Sequence, residues 1–169
     1  MKTSIPKLAL ALLLAWPPMA ARAAGVAGMF SQGNASFMIE AGGGTAYNNS
    51  YTILGVGAHY FVMDGLAVGL SYESWSGASP GITQVTPSVL YVFYDAPYIK
   101  PYLGGFYRHT SVSGRTGFNS AGIRAGGYIH AGRHTAIGVG VVAENYMNCQ
   151  RAFGPCSQAY PEISLIFSF

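Results

Sequence analysis

Charged side chains are scarce in this chain of 169 residues, where Asp, Glu, Lys and Arg together make up 9%. An ordinary soluble domain carries both signs of charge over its surface, at about a quarter to a third of surface positions. The shortage therefore argues against a water-facing surface of the usual kind.

Long hydrophobic runs are absent after residue 23, so no later segment has the roughly 18 consecutive apolar residues that a membrane-spanning helix requires. Half of the chain is nevertheless hydrophobic, and it contains 23 glycines and 12 tyrosines. In lipid, a chain without such a helix can satisfy its backbone polar groups only as a closed barrel. The composition therefore favours a transmembrane β-barrel.

The N-terminus has the order of regions typical of a secretory signal. Two lysines precede an apolar run over 8–16, and small residues surround the expected cleavage point between Ala23 and Ala24. We predict a signal peptide over 1–23 and one barrel domain over 24–169. Cleavage removes three of the nine basic residues and leaves six against six acidic ones. Without a basic surface, a nucleic-acid partner is not expected.

Period-two alternation between turn signals predicts an all-β fold, an eight-stranded antiparallel up-and-down barrel. The predicted strands are 35–43, 51–61, 66–75, 84–94, 100–109, 119–129, 134–146 and 159–169. Short connectors are expected at 62–65, 95–99 and 130–133, and long ones at 44–50, 76–83, 110–118 and 147–158. This alternation predicts short turns at the end that holds both termini and long loops at the other end.

Aromatic residues near strand ends suggest two interfacial girdles, where a ring has one wet and one apolar side. One group is Phe37, Tyr60, Phe93, Phe167 and Phe169, and the other is Tyr51, Tyr72, Trp75, Tyr107, Tyr146 and Tyr160. Three prolines fall within predicted strands, and each is expected at a strand start or a bulge: Pro87, Pro101 and Pro161.

The alternation also assigns every glutamate to the lumen face. The expected lumen charge network is Glu40, His59, Glu73, Arg108, Arg124, Glu144 and Glu162. An arginine fork can bridge two carboxylates, so Arg108 and Arg124 are its expected centres. A barrel of this size should then be packed with side chains and not form a wide pore. The competing interpretation of the same cluster is a gate or an acid/base site.

Three histidines outside the expected lumen network are candidates for a chemical role. His109 and Ser111 share one strand face and could belong to an esterase on the barrel wall, although an orienting carboxylate is missing from that face. His130 and His134 flank a short turn and are expected to be interfacial polar residues. Neither metal ligands nor a cofactor site are predicted.

The signal, the connector pattern, the segment 99–105 and the terminal Phe169 resemble small eight-stranded outer-membrane barrel proteins, such as the OmpA-type membrane domain and OmpX-like proteins. The resemblance implies a monomer in the outer membrane of a Gram-negative bacterium, in contact with lipids and lipopolysaccharide. It also implies that Phe167 and Phe169 in the last strand are recognised by the outer-membrane assembly machinery. The expected role is structural or surface-interacting.

Two alternative functions remain open at this point. The first is a lipid A-modifying barrel enzyme of the deacylase or acyltransferase type. The deacylase type carries a His-x-Ser pair and a glutamate near its last strands, and the segment around Glu144 has neither His nor Ser. No catalytic residues are therefore assigned. The second is a soluble lipocalin-type carrier, which would place charges outside and apolar groups inside.

The two cysteines, Cys149 and Cys156, are predicted to form a disulfide in the last long loop, because the chain is exported and they flank a Gly-Pro turn. Chain entropy gives such a small ring about 2.5 kcal/mol of stabilisation. A thiol assay on the denatured, unreduced protein should find no free thiol. Two reactive thiols per chain would contradict the prediction.

Overall fold

A computed structural model describes residues 28–147 and 156–169, and these residues form a closed barrel of eight antiparallel strands joined in chain order. The strands are β1 (Ala35–Ala46), β2 (Asn49–Met63), β3 (Leu66–Ser76), β4 (Ile82–Val92), β5 (Ile99–Val112), β6 (Phe118–His130), β7 (Thr135–Tyr146) and β8 (Ser157–Ser168). The predicted fold class is confirmed. A short 3₁₀ turn, Gly28–Phe30, precedes β1. No helix in the described part of the chain is long and apolar enough to cross a membrane.

The barrel has a terminal end, where β1 begins and β8 ends, and a loop end opposite to it. The predicted long loop over 44–50 is wrong, because β1 and β2 are joined by Tyr47 and Asn48 alone. Both have positive φ, 50° and 62°, as a two-residue hairpin turn requires. The strict alternation of short and long connectors is also wrong, since the connection over 93–98 at the terminal end is longer than the one over 77–81 at the loop end.

Side chains alternate between the lumen and the outer face, and the outer face is apolar. The large aliphatic side chains on it that are more than half exposed include Leu54, Leu70, Ile123, Val141 and Ile163. The buried side includes all of the strand arginines and most of the glutamates. This distribution is the reverse of what a lipocalin-type soluble carrier needs.

The lumen is layered along the barrel axis. A lower apolar cluster near the terminal end comprises Met29, Phe30, Met38, Phe61, Ala67, Leu90, Val92, Tyr102, Tyr128, Ala136 and Ile166. An upper apolar cluster near the loop end comprises Ala46, Tyr51, Ile82, Val112, Phe118 and Tyr146. Phe30 is 1% exposed and stacks on Tyr128, with 5.6 Å between ring centroids. The N-terminal segment before β1 therefore contributes to the lower cluster.

Glycines on one strand make room for large lumen side chains on the next. A Cβ atom at Gly55 would lie 2.9 Å from Glu73 Cγ and 3.1 Å from Glu40 Oε2. At Gly122 it would lie 2.5 Å from the Phe106 ring. Real Cβ atoms do not come so close to other heavy atoms, so substitution at either position would push these side chains out of place.

The predicted upper girdle is only partly correct. Tyr72 and Tyr107 lie on the outer face, whereas Tyr51 and Tyr146 are buried in the upper apolar cluster and Trp75 packs against it. Tyr160 also points inward, where it bonds to a lumen arginine. These rings lie near strand ends as predicted, but their strand parity turns them inward.

Pro87 lies inside β4 and marks neither a strand start nor a bulge, so that expectation is wrong. The β4–β5 ladder passes from the pair Val85↔His109 to Ser88↔Phe106 with its register unchanged. Pro87 still pairs with Leu70 on the β3 side. Because proline has no N–H to donate, the ladder is interrupted locally on one side only. Pro101 lies near the start of β5, as expected.

Candidate functional site

A layer of ionisable side chains lies between the two apolar clusters, and we call it the charged layer. It consists of Glu40, Glu73, Arg108, Arg124, Glu144 and Glu162, which come from six different strands. Ion pairs join them across the lumen. Of the seven residues predicted for the lumen network, these six are brought together.

Arg108 is the centre of the first half of the charged layer. Its Nη2 donates to Glu73 Oε1 at 2.8 Å and its Nη1 lies 3.2 Å from Glu144 Oε2. Nη1 also donates to the Tyr160 hydroxyl at 2.9 Å, and Nε donates to Thr86 Oγ1 at 3.0 Å. One planar fork thus connects β5 with β3, β4, β7 and β8, and it does so with hydrogen bonds as well as charge.

Glu144 is held by more than the arginine. The Tyr160 hydroxyl donates to its Oε2 at 3.0 Å, and Ser120 Oγ donates to its Oε1. Its side chain is 2% exposed. A buried carboxylate is tolerated when its lone pairs are satisfied in this way, because each bond replaces one lost to water.

Arg124 is the centre of the second half of the charged layer. Its Nη1 lies 3.6 Å from Glu40 Oε1 and 3.3 Å from Glu162 Oε2. The Tyr102 hydroxyl is 3.5 Å from Glu162 Oε1. These contacts are longer than those of Arg108, so the second half is the more loosely bonded.

The ring of Phe106 lies against both guanidinium groups. The Cζ atoms of Arg108 and Arg124 are 5.1 Å and 5.3 Å from its centroid. The negative face of an aromatic ring attracts a cation at this distance. Phe106 therefore contacts both cations favourably.

His59 is buried on the same lumen face and is 5% exposed, but it takes part in no ion pair among the described residues. Its ring lies against Gly69 on β3, where an added Cβ would fall 2.2 Å from Cδ2. The lumen network expected from the sequence therefore holds six charged members, with His59 packed beside them.

A cavity of about 140 Å³ adjoins the charged layer on the side of the loop end. Arg108, Glu73 and Glu144 form its inner wall, together with Gln84. Its opposite wall is formed by β1 and β8, including Gly43 and other residues of the outer face. Glu40 and Gln84 both line this cavity, and each has a fully buried acceptor oxygen, Glu40 Oε2 and Gln84 Oε1, without a hydrogen-bond partner among the described residues.

Several residues of the site were missed by the sequence reasoning. Tyr102, Tyr128 and Tyr160 were not assigned to the lumen, and Phe30 was not assigned to the barrel. The two-residue alternation along β8 that places Glu162 in the lumen also places Tyr160 there, so the sequence does contain the signal for Tyr160. Phe30 precedes the first strand, and no periodic pattern includes it.

The candidate esterase residues lie on the outer face near the loop end. His109 Nδ1 is 2.6 Å from Asn119 Oδ1 on β6, so its bonding partner is an amide. An acyl-transfer site would instead need the histidine bonded to Ser111 as its nucleophile. In the described residues, no group of three or more His, Cys, Asp or Glu is placed to hold a metal ion.

The remaining predicted residues lie at the chain ends or in the last loop. Ala23, Ala24 and Cys149 are outside the described residues, so the cleavage site and the disulfide stay predictions. Phe169 is 83% exposed, and its backbone N–H donates to Ala35 at 2.9 Å. Phe167 faces the same outer side, as the alternation of β8 predicts.

Solved structures of three outer-membrane barrels are similar to this chain. The N-terminal barrel domain of Pseudomonas aeruginosa OprF is 15% identical, covering 82% of this chain and 98% of that one, with a TM-score of 0.64. Neisserial surface protein A is 14% identical, with coverages of 80% and 96% and a TM-score of 0.57. OprG of P. aeruginosa is 12% identical, with coverages of 86% and 99% and a TM-score of 0.51.

No protein-family model and no curated protein sequence matches the chain. At such low identities the structural likeness shows the fold. The chain therefore has the eight-stranded fold of small outer-membrane barrels, and the resemblance stated from the sequence is confirmed at that level.

Replacing Arg108 by alanine should lower the free energy of unfolding by about 3–5 kcal/mol, since it leaves the buried carboxylates of Glu73 and Glu144 without their cation. The control is Arg115→Ala, which removes an exposed loop cation lying 4.6 Å from the Tyr47 ring. Its cost should stay below about 1 kcal/mol. Urea unfolding in lipid vesicles measures both variants, and equal small losses would show that the charged layer contributes little.

Proposed function

We propose that this protein is a monomeric integral protein of the bacterial outer membrane with a structural or surface-interaction role, and that side chains close its lumen. One observation carries the proposal: the outer face is apolar over the middle of the strands while the glutamates and strand arginines lie inside. This distribution suits a barrel whose outer face contacts the hydrocarbon core of a membrane.

Energetics supports a lipid environment for the outer face. A charged side chain on that face near the bilayer midplane costs roughly 2–4 kcal/mol. Ring closure leaves no free sheet edge around most of the barrel, as spanning a membrane requires. Large apolar side chains that would be a liability in water are then placed against acyl chains.

A closed lumen is supported by its three layers. The lower cluster is sealed by Phe30, whose ring contacts Phe61 and Tyr128 at centroid distances of 5.8 Å and 5.6 Å. The charged layer above it is joined across the lumen by Arg108 and Arg124. Eight-stranded barrels have room for side chains and little else. We therefore place the protein's interactions with its surroundings in its loops and outer face.

Contacts between connections order the loop end. The Tyr51 hydroxyl donates to the carbonyl of Pro80 at 3.0 Å, and Asn49 Nδ2 donates to the carbonyl of Ser79 at 3.1 Å. Arg115 lies over the Tyr47 ring. A surface partner would meet this ordered end, lipids and lipopolysaccharide would contact the outer face, and the assembly machinery would bind the last strand through Phe167 and Phe169.

The proposal assigns no enzymatic activity, and the runner-up remains a lipid A-modifying enzyme. Its supporting observation is that His109 and Ser111 both face outward near the loop end, although Asn119, and not Ser111, is bonded to the histidine. Incubation of the purified protein with lipopolysaccharide should leave the acyl chains unchanged. Altered chains with the natural protein but not with Ser111→Ala would replace the proposal by the enzyme.

Leu70→Arg should reduce both the refolded fraction in vesicles and the stability, by about 2–4 kcal/mol, because it places a cation among acyl chains. Thr116→Arg, in the exposed loop over 113–117, is the matched control and should behave like the natural protein. Retention of heat-modifiable mobility on gels measures refolding. A protein that folds without detergent and tolerates both substitutions equally would contradict the membrane assignment.

The closed lumen predicts the absence of a large stable conductance in planar bilayers. Both apolar clusters and the charged layer would have to separate before a continuous water path formed. A porin recorded in the same bilayer provides the positive control. Long-lived openings of porin size would contradict the proposed closure.

A further inference from the structure

The ladder between β1 and β8 closes the barrel over only part of its height. It runs from the pair Ser36↔Ser168 to Glu40↔Ser164. Beyond Glu40, β1 continues to Ala46 in register with β2, and the corresponding part of β8 is in register with β7 back to Ser157. The half of this seam nearer the loop end is therefore a gap in the wall, which we call the lateral opening.

The residues at the lateral opening explain why the ladder stops there. On β1, Gly42, Gly43 and Gly44 follow the last paired residue, and glycine weakens a strand because it has no side chain to pack. On β8, Pro161 has no N–H to donate. Pro161 is thus at a local sheet edge, the position within a strand that proline tolerates.

The cavity beside the charged layer reaches this opening. Its walls include Arg108 and Glu73 from the lumen together with Ala41, Pro161 and Ile163 from the outer face. A single cavity therefore connects buried ionised groups with the surface that faces lipid. A lipid-phase molecule could reach the charged layer here without crossing either apolar cluster.

The lining of the cavity favours a cation, because four carboxylates line it, those of Glu40, Glu73, Glu144 and Glu162, against the single guanidinium group of Arg108. Glu40 Oε2 and Gln84 Oε1 are acceptors without a partner in the described residues, and these side chains belong to residues 8% and 2% exposed. The charged layer contains four carboxylates and two guanidinium groups, so it has an excess of negative charge when ionised. A cationic hydrogen-bond donor would supply a partner for the unpartnered acceptors and would offset the excess negative charge, whereas an anion would be repelled by the carboxylates.

Size and wall chemistry restrict the ligand further. A cavity of about 140 Å³ holds a group near the size of benzene, since engineered cavities of about 150 Å³ bind benzene. Ile53, Trp75 and Tyr146 supply apolar parts of the cavity wall. A small head group fits inside, and an attached alkyl chain would pass outward between β1 and β8.

We propose that the lateral opening is a binding site for an amphiphile with a primary ammonium head group, which enters from the lipid phase and bonds to Glu40 and Gln84. The proposal rests on the membrane location proposed above. It adds a ligand class and a route to an otherwise closed barrel.

Tryptophan fluorescence provides a direct measurement, because Trp75 lines the cavity and the other tryptophan, Trp16, lies in the predicted signal peptide. The protein refolded in zwitterionic lipid vesicles is titrated with dodecylamine. The expected result is a saturable fluorescence change at concentrations at least about tenfold lower than for dodecanol or dodecyl sulfate, which share the chain. Equal responses to all three would overturn the proposal.

Two pairs of variants test the site and its route. Glu40→Gln should weaken dodecylamine binding at least about tenfold. Gln84→Met, which removes the other free acceptor, should also weaken binding, and it is the test variant if Glu40→Gln fails to fold. Gly43→Phe places a ring at the outer mouth, where a Cβ meets only the Tyr51 carbonyl at 3.8 Å, and should slow or abolish binding. Gly105→Phe is the matched control on the outer face of β5 and should bind normally. Unchanged binding in Gly43→Phe and in the folded acceptor variant would overturn the proposal.

The membrane location and the site can fail separately. If the natural protein does not insert into vesicles, the membrane assignment fails and takes the site with it. If it inserts and gains heat-modifiable mobility, but dodecylamine acts like dodecanol, only the site is disproved.

Discussion

An eight-stranded barrel has so narrow an interior that ionised side chains placed there must neutralise one another. In this protein Arg108 meets that constraint by bonding to Glu73 and Glu144 at once, with Tyr160 and Thr86 completing its donors. Burying one of these charges alone would be costly, and breaking a buried pair leaves the partner uncompensated. The apolar outer face is possible only because these groups have partners inside.

The same narrowness explains the glycine content. A large lumen side chain needs a neighbour without a side chain, and Gly55, Gly69 and Gly122 supply that space beside the glutamates, His59 and Phe106. Glycine and proline have the opposite effect where β1 meets β8. There Gly42 to Gly44 and Pro161 weaken pairing, so the barrel is least closed beside its most polar interior. The packing of the lumen and the lateral opening thus both depend on glycine, placed at different points of the wall.

Individual elements show where sequence reasoning succeeded and where it did not. Strand positions and the inward direction of the glutamates followed from alternation. The sequence predicts a long loop over 44–50, and the turn at Tyr47 and Asn48 lacks the Asn-Gly signal that marks a two-residue hairpin. The prediction of Tyr51 and Tyr160 as girdle residues uses only their positions near strand ends, whereas the alternation of side chains along each strand directs them into the lumen. Pro87 is expected to start or bend a strand, but its missing N–H interrupts only the ladder between β4 and β5.

The sequence by itself determined that the chain forms a barrel and which face each strand residue takes. Alternation is a local property of extended backbone, and the positions of the few charged residues predict which face is apolar. Only the tertiary structure decided that Arg108 pairs with Glu73 and Glu144, that Phe30 enters the lower cluster, and that the β1–β8 ladder stops at Glu40. Those outcomes depend on the stagger of strands around a closed ring, which relates residues far apart in the chain and has no local signal.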